Sequence, residues 1–288
     1  CCVIDDHLMG ITHVIRGEDH LSNNSRQLQI YDAFGWEVPE FAHVAVVLGS
    51  DRQKLSKRNG DSSVFEYLNG GYLPEALLNF LALLGWNPGA DVKPSSGHPE
   101  IFTMDEMISY FSMDGLQKAP AVFDVQKLNW MNGQYLRNLP LEEIASRARP
   151  FFESAPEWKQ SLESQAKALG AAGAEKWYVG VVETIRGECT VLKDLPEHAR
   201  FFIESKPAIE DSAKAVLADP ANSGVIAALS AAVSELPDTL TPELVDQLQK
   251  TVGAKAGAKG KGLFMPIRAA TTGRTHGPEL KKVFPLLG

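Results

Sequence analysis

Lys54 and Lys57 bracket a Leu-Ser pair, and Arg52 and Arg58 flank them, so four cations fall within a seven-residue stretch. The surrounding segment, GSDRQKLSKRNGDSS from Gly49 to Ser63, is rich in Gly, Ser, Asp and Asn, which reads as a loop and not as a helix face. Lysine heads are compact point charges on flexible stems. Two of them on a loop can close on a polyphosphate and neutralise the charge that develops on a departing pyrophosphate. A P-loop would need G-x-x-x-x-G-K-[ST] between strand and helix, and this stretch has no such glycine pattern. A solvated surface loop is the plain alternative, as for charge runs in general.

The elements around the loop argue against that alternative. Thr12–Arg16 reads as a short buried strand, SNNSRQLQIYDAFG as a helix with apolar Leu28, Tyr31 and Ala33/Phe34 and a stop at Gly35, and HVAVVLG as a central parallel strand. Strand, helix and strand of these lengths form a βαβ unit, the building block of doubly wound sheets. Ligands of such sheets bind beyond the carboxyl ends of the strands, where the lysine loop follows. Cys1–Ile4 reads as another short strand, and Asp5 to Gly10 as a turn. Asp5 and Asp6 lack a further carboxylate at ligand spacing, so they are turn and ion-pair residues.

Beyond Ser63 the pattern is helical. LPEALLNFLALLGW places Leu73, Leu77, Phe80/Leu81 and Leu84 on one stripe, with Pro74 in the first turn and Gly85 as stop; Leu78 and Leu83 on the other face predict deep burial. TMDEMISYF opens with a Thr103–Glu106 capping box, and FDVQKLNWMNG is capped by Asp124 and stopped near Gly133. Asn87–Pro99 reads as a loop or insertion. From Leu141 onward the pattern predicts helices only, near 141–153, 157–170, 175–193, 195–205, 211–218, 223–235, 242–252 and 262–272, with 251–262 a flexible basic connector.

Composition bounds the function. The 288 residues are 44% hydrophobic and 22% charged, ordinary for a globular protein. No apolar run approaches the roughly 20 residues of a membrane span. Three cysteines make neither a disulfide framework nor a metal cluster, and a reducing cytoplasm fits. The formal net charge is −8, so this is not a generally basic nucleic-acid binder; yet from Gly253 to the end seven Lys/Arg face one acid, Glu279, a +6 tail that hints at a polyanion contact.

Lys54-Leu55-Ser56-Lys57-Arg58 resembles the lysine signature loop of class I aminoacyl-tRNA synthetases. DDHLMGITHVIRGEDHLSNNSRQ (Asp5–Gln27), FAHVAVVLGSDRQKLSKR and the ALLNFLALLGW helix resemble the matching stretches of bacterial glutamyl-tRNA synthetases over about 90 residues. The all-helical second half favours the glutamyl branch over the glutaminyl one, whose anticodon domains are β-barrels. The resemblance implies a fold that is α/β and then all-α. Residues 1–65 would be the second half of a Rossmann-like nucleotide-binding catalytic domain, 66–140 a helical stem-contact domain and 141–288 an anticodon-binding domain. It implies a cytoplasmic, monomeric ligase that activates L-glutamate with ATP and Mg²⁺ and transfers it to tRNA-Glu. The His-Ile-Gly-His-type motif that grips ATP in the family is absent, so the chain is expected to be a C-terminal portion that is inactive alone. A stand-alone tRNA anticodon-binding module is the second reading.

By the same resemblance Lys57 contacts the ATP phosphates, with Lys54 its partner and Ser56 between them. Arg16 binds glutamate, its fork suited to a carboxylate unless it pairs with Glu18 or Asp19. Asp19 lies near the nucleotide, the backbone of Val46 and Val47 meets the adenine while their side chains are core, and Cys2 lies near the substrate. Ala45 stands where relatives often carry Pro. His20 and His43 read as hydrogen-bonded structural histidines. Arg186 lies where discriminating members read the third anticodon base; Lys193 and Arg200 would share its face on a straight helix, which Pro196 interrupts. Trp158, Trp177 and Tyr178 could stack on bases but at helical spacing read as core.

Overall fold

The computed structural model describes residues 2–55, 63–237 and 240–287. The chain divides into two compact units, Cys1–Asn132 and Gly133–Gly288.

The first unit opens with helix α1 (Cys2–Leu8), not with the strand that Val3 and Ile4 suggest. A strand must find a neighbour for its backbone groups, whereas a helix satisfies them locally. Here the turn closes on itself, with Met9 N donating to Asp5 O and Ile11 N to Asp6 O, both at 2.9 Å. Val3 is buried and the His7 ring stacks on Trp36 at 4.0 Å. Asp5 and Asp6 thus belong to the helix and not to a turn.

Strand β1 (His13–Gly17), helix α2 (Asn24–Phe34) and strand β2 (Glu40–Val44) make the expected βαβ unit, with β1 and β2 parallel and Arg16 opposite His43. Gly35 ends α2 in the left-handed conformation at φ 64°, as a helix-stopping glycine should. Tyr31 is the one buried residue of α2; Leu28 and Phe34 are exposed, against the expected stripe.

The HVAVVLG run is not one strand. It breaks after Val44, and β3 (Val47–Leu48) pairs with a different neighbour, β4 (Ala121–Val122), again in parallel. The change of partner ends one ladder and starts another. Val46 and Val47 are half-buried, not core.

Past residue 62 come α3 (Val64–Asn69), α4 (Pro74–Gly85) and α5 (Met104–Tyr110). Pro74 begins α4 as expected, but only one face is buried, with Leu73 before it and Ala76, Leu77, Asn79 and Phe80 on it; Leu78 is 46% exposed. The capping box of α5 is present in both directions, and the Glu106 carboxyl, which accepts from Ser95 N as well as from Thr103 N of the box, is held below the usual range by these two bonds. Asp124 caps α6 through Gln126 N at 2.8 Å. That helix runs from Val125 to Asn138, past Gly133, and so carries the chain from the first unit into the second.

The second unit has no strand among its described residues. It continues with α7 (Leu141–Ser154) and α8 (Pro156–Ile185), the latter broken at Gly170, whose φ of 73° no interior helical residue adopts. After Ile185 the expected long helix gives way to short turns around α9 (Leu195–His198). Then follow α10 (Asp211–Ala218), α11 (Ser223–Val233), α12 (Pro242–Ala256), α13 (Lys261–Thr272) and α14 (Leu280–Leu287). The basic connector of 251–262 is mostly helix: α12 runs on to Ala256, and Gly257 at φ 65° makes the turn into α13.

Aromatic side chains hold this unit. Phe152 meets Trp158 edge-on at 4.7 Å and Tyr178 at 5.2 Å. Each polar tip has a partner: Trp158 Nε1 donates to Pro196 O, Trp177 Nε1 to Leu286 O and the Tyr178 hydroxyl to Ala145 O. All three rings are core, as their spacing suggests. In the same unit Cys189 is 1% exposed, and burial, reinforced by Asp194, pushes its thiol up to about 12.

Candidate functional site

The carboxyl ends of β1 and β2 gather a set of polar side chains. Arg16 leaves β1 half-buried, with its guanidinium 5.3 Å from the centre of the Phe41 ring. Its Nε donates to His43 Nε2 at 3.4 Å, and one terminal nitrogen donates to Gln27 Oε1 at 2.7 Å and to Asn24 Oδ1. All three acceptors are neutral groups when His43 is the uncharged imidazole. Among the described residues Arg16 has no carboxylate within ion-pair distance, and neither Glu18 nor Asp19 takes that part. The fork is therefore oriented while its charge stays uncompensated, the state suited to receive an external carboxylate. Asn24 and Gln27 escaped the sequence reading, although amides three residues apart share a helix face.

A second contact joins the β1 end to the lysine stretch. Asp19 lies two residues beyond Gly17, where an added Cβ would lie 2.5 Å from Asp19 Oδ1. Its Oδ2 accepts from Lys54 Nζ at 2.5 Å across 35 residues of sequence and lies 4.0 Å from His20 Nε2. The Lys54 hydrogen bond holds the Asp19 carboxyl below its usual range.

Lys54 itself is not on an open loop. Residues 49–55 fold back on β3 in a tight hairpin: Gly49 N donates to Gln53 O at 2.8 Å, Leu55 N to Val47 O at 2.9 Å, and Lys54 bridges to Leu48. Arg52 makes the turn in the left-handed region at φ 60°. Ser56, Lys57 and Arg58 lie outside the described residues. Cys2 is exposed at the start of α1 and belongs to neither the Arg16 nor the Lys54 contacts.

In the helical unit Arg186 is half-buried and donates to Leu139 O at 3.0 Å. It lines a groove of about 350 Å³ with Arg137, Glu183, Glu188 and Lys282. Lys193 and Arg200 sit on separate short turns, so the three cations share no helix face; Arg200 pairs with Glu197 and Glu204. Among the described residues no group of three or more His, Cys, Asp or Glu could hold a metal ion.

A family model for the catalytic domain of class I tRNA synthetases (E and Q) matches residues 1–130, and an anticodon-binding-domain model matches residues 143–288, just over half of the chain. The glutamate–tRNA ligase of Carboxydothermus hydrogenoformans is 46% identical over 287 residues, 99% of this chain and 56% of the relative. That of Desulforamulus reducens is 42% identical over the same shares of both.

The chain belongs to the glutamyl-tRNA synthetase family.

It spans about 56% of the length of these curated family members. A crystal structure of the glutamate tRNA ligase from Elizabethkingia meningosepticum, in complex with its amino acid, superimposes with a TM-score of 0.73 at 28% identity, covering 100% of this chain and 56% of the other. The structure from Elizabethkingia anophelis gives 0.71 at 27% identity with the same coverage. Within the family frame the Arg16 and Lys54 contacts lie in the catalytic segment and the Arg186 groove in the anticodon-binding segment. No single helix among the described residues is long and apolar enough to cross a membrane.

Proposed function

We propose that these residues serve a glutamate–tRNA ligase, with 1–65 supplying part of the nucleotide-binding catalytic domain, 66–140 a stem-contact domain and 141–288 the anticodon-binding half. The observation that carries this reading is Arg16, a charge oriented by an imidazole and two amides and left without a carboxylate. Its fork takes a carboxylate of L-glutamate through two parallel N–H···O bonds. The α-carboxylate then attacks the α-phosphate of ATP, glutamyl-adenylate forms and pyrophosphate leaves. Lys57, with Lys54 and Ser56, neutralises the charge growing on the leaving phosphates, and a hydroxyl of the terminal ribose of tRNA-Glu then attacks the acyl carbon, forming the ester and releasing AMP. The chain needs no nucleophile of its own, since positioning and charge stabilisation carry the reaction.

Lys54 is already held by Asp19, so a nucleotide entering here meets an ammonium fixed on a short hairpin. Asp19, released from Lys54, meets the ribose or an amine in exchange. Val46 and Val47 offer backbone to the adenine, and Cys2, outside the Arg16 and Lys54 contacts, is assigned to the substrate side by the family resemblance alone. Mg²⁺ would arrive on the ATP phosphates, since magnesium commonly binds through substrate phosphates plus one or two carboxylates. Arg186, which lines its groove, reads an anticodon base. The ligase acts in the cytoplasm as a monomer.

The test is glutamate-dependent ATP–pyrophosphate exchange. The 288-residue chain alone gives none, because its sequence holds no motif of the His-Ile-Gly-His kind. A synthetase of the relatives' full length carrying these residues exchanges, and Arg16→Ala in it raises the glutamate requirement far more than the ATP requirement. An unchanged glutamate requirement removes Arg16 from the substrate site.

A further inference from the structure

Strand β2 presents Phe41 and His43, two residues apart and so on one face, and both meet Arg16 across the strand pair. The guanidinium lies 5.3 Å from the centre of the Phe41 ring, and the His43 ring is nearly parallel to Phe41, 6.4 Å away at 12°. Asn24 and Gln27 approach from α2, but both accept from the same terminal nitrogen of Arg16. A planar group held at one nitrogen still swings about it. His43 supplies the second point by accepting from Nε at 3.4 Å, and two points fix the plane of the fork.

Arginine offers donors only, so His43 Nε2 is the bare ring nitrogen and the proton sits on Nδ1. A second proton has only Nε2 to go to. The acceptor then becomes a donor aimed at a donor, and two cations stand 3.4 Å apart. The surroundings bring no compensating charge within reach. Strand β1 brings Arg16 itself, and α2 reaches the pair with the neutral Asn24 and Gln27. The helical turn Glu18–Asn23, packed on β2, carries Glu18, Asp19 and His20, with Asp19 engaged by Lys54 and lying 4.0 Å from His20. On β2 itself Glu40 lies 3.8 Å from His13, at the other end of the strand. Among the described residues no carboxylate is within ion-pair distance of His43.

We propose that His43 is the positioning residue of the substrate arginine and does this only as the neutral imidazole, so that acidification weakens glutamate binding without slowing the chemical step. With His43 charged, the guanidinium turns away and keeps only the amides at one nitrogen. Its charge is unchanged, but the two N–H groups no longer lie where a carboxylate meets them in parallel. The imidazolium does not replace them, because its new N–H points at Arg16 and not at the substrate. The assignment rests on the reading of Arg16 as the glutamate site and says what orients it.

Two measurements test it. In the 288-residue chain, long-range proton–nitrogen NMR of the imidazoles, with His43 assigned by its loss in His43→Gln, shows the Nδ1–H tautomer in mild alkali; the Nε2–H tautomer overturns the proposal. In a synthetase of the relatives' full length carrying these residues, glutamate-dependent ATP–pyrophosphate exchange is followed from about pH 8 to about pH 6, where imidazoles change charge. The KM for glutamate rises at least about threefold on acidification, while kcat and the KM for ATP move less. His43→Leu raises the glutamate KM about tenfold at the alkaline end, since a hydrogen bond to a charged group is lost, and flattens its pH profile. His43→Gln keeps an acceptor that cannot charge, so it recovers most of that affinity and stays flat. If His43→Leu fails to fold, His43→Gln decides alone: a flat profile supports the assignment and the unaltered profile overturns it. A glutamate KM that falls on acidification, or a loss confined to kcat in the variants, also overturns it. If Arg16→Ala raises the glutamate requirement and the His43 variants do not, this assignment falls and the Arg16 reading stands. If Arg16→Ala leaves that requirement unchanged, both fall.

Discussion

The two units handle charge in opposite ways. Cys1–Asn132 holds nine Lys/Arg against seventeen Asp/Glu, whereas Gly133–Gly288 holds nineteen of each. By net charge the second unit is the better place for a polyanion, and by margin alone the first is a poor one. The geometry cuts across that ranking. In the acidic unit Arg16 is held by neutral acceptors with its charge uncompensated. In the balanced unit many cations already have acids: Arg147 with Glu143, Arg149 with Glu175, Arg200 with Glu204, Arg274 with Glu210 and Lys281 with Glu279. A basic residue marks a binding surface when its charge is uncompensated, and the total over a unit does not reveal which residues those are.

That contrast can be broken at several strengths. The largest effect is expected from Trp158→Ala, because the helical unit rests on buried rings and the first unit's candidate site on polar contacts. Removing this ring should cost about 3–5 kcal/mol of unfolding free energy, read by urea denaturation. A cost below about 1 kcal/mol would show that the Phe152–Trp158–Tyr178 cluster does not carry the unit.

Next come the two cations of the catalytic segment, measured in a full-length synthetase. Lys57→Ala should slow activation about a hundredfold, on the order of 3 kcal/mol, with little change in glutamate affinity. Arg16→Ala should do the reverse, weakening glutamate binding and leaving the rate at saturating glutamate less affected. A reduction under about threefold for Lys57→Ala, or identical profiles for the two variants, would remove the division of labour between them.

A third effect appears only in alkali. The Cys189 thiol is raised to about 12 in the fold from its ordinary value of 9.0, so the unfolded chain gives up this proton first. Stability from this group is complete below pH 9 and falls as pH rises toward 12, by up to about 1.4 kcal/mol per pH unit. Cys189→Ala should flatten that part of the stability–pH curve whatever it does to stability at pH 7. A curve of unchanged steepness would place the alkaline sensitivity elsewhere, with the raised Tyr178 hydroxyl the next group to test.

The smallest effect belongs to Lys281→Ala. Its pair with Glu279 is exposed and screened by water, so breaking it should leave the midpoint of urea denaturation nearly unmoved. A larger loss would mean that surface pairs matter more in this unit than its buried aromatics suggest.

What the sequence disclosed depended on the range of the interaction. The Thr103–Glu106 capping box, the Gly35 stop and the parallel βαβ pairing rest on neighbours or on one crossover, and all are present. The strand expected over Cys1–Ile4 and the turn over Asp5–Gly10 give way to the helix Cys2–Leu8, because Val3 and Ile4 favour strands while the hydrogen bonds that decide for a helix lie further along. The 251–262 connector was misread because Gly and Ala look loose, yet Ala258 and Leu263 pack against a core formed by distant residues. Helix α14 was not foreseen; its eight residues are few and include Pro285. The Asp19–Lys54 contact spans 35 residues, and no local rule reaches that far. The resemblance to class I synthetases drew attention to both residues but did not pair them.

Cys189 has one more consequence. A thiol reacts as its thiolate, and this one is protonated and sealed among the helices of the second unit. An alkylating reagent can reach it only during the moments when those helices part. The rate at which it is labelled therefore counts the openings of that core, residue-specifically and without denaturant. The exposed Cys2 is labelled in the same tube and supplies the unprotected reference. The ratio of the two rates reads out the breathing of the helical core, and any RNA that steadies those helices should slow the first rate and leave the second alone.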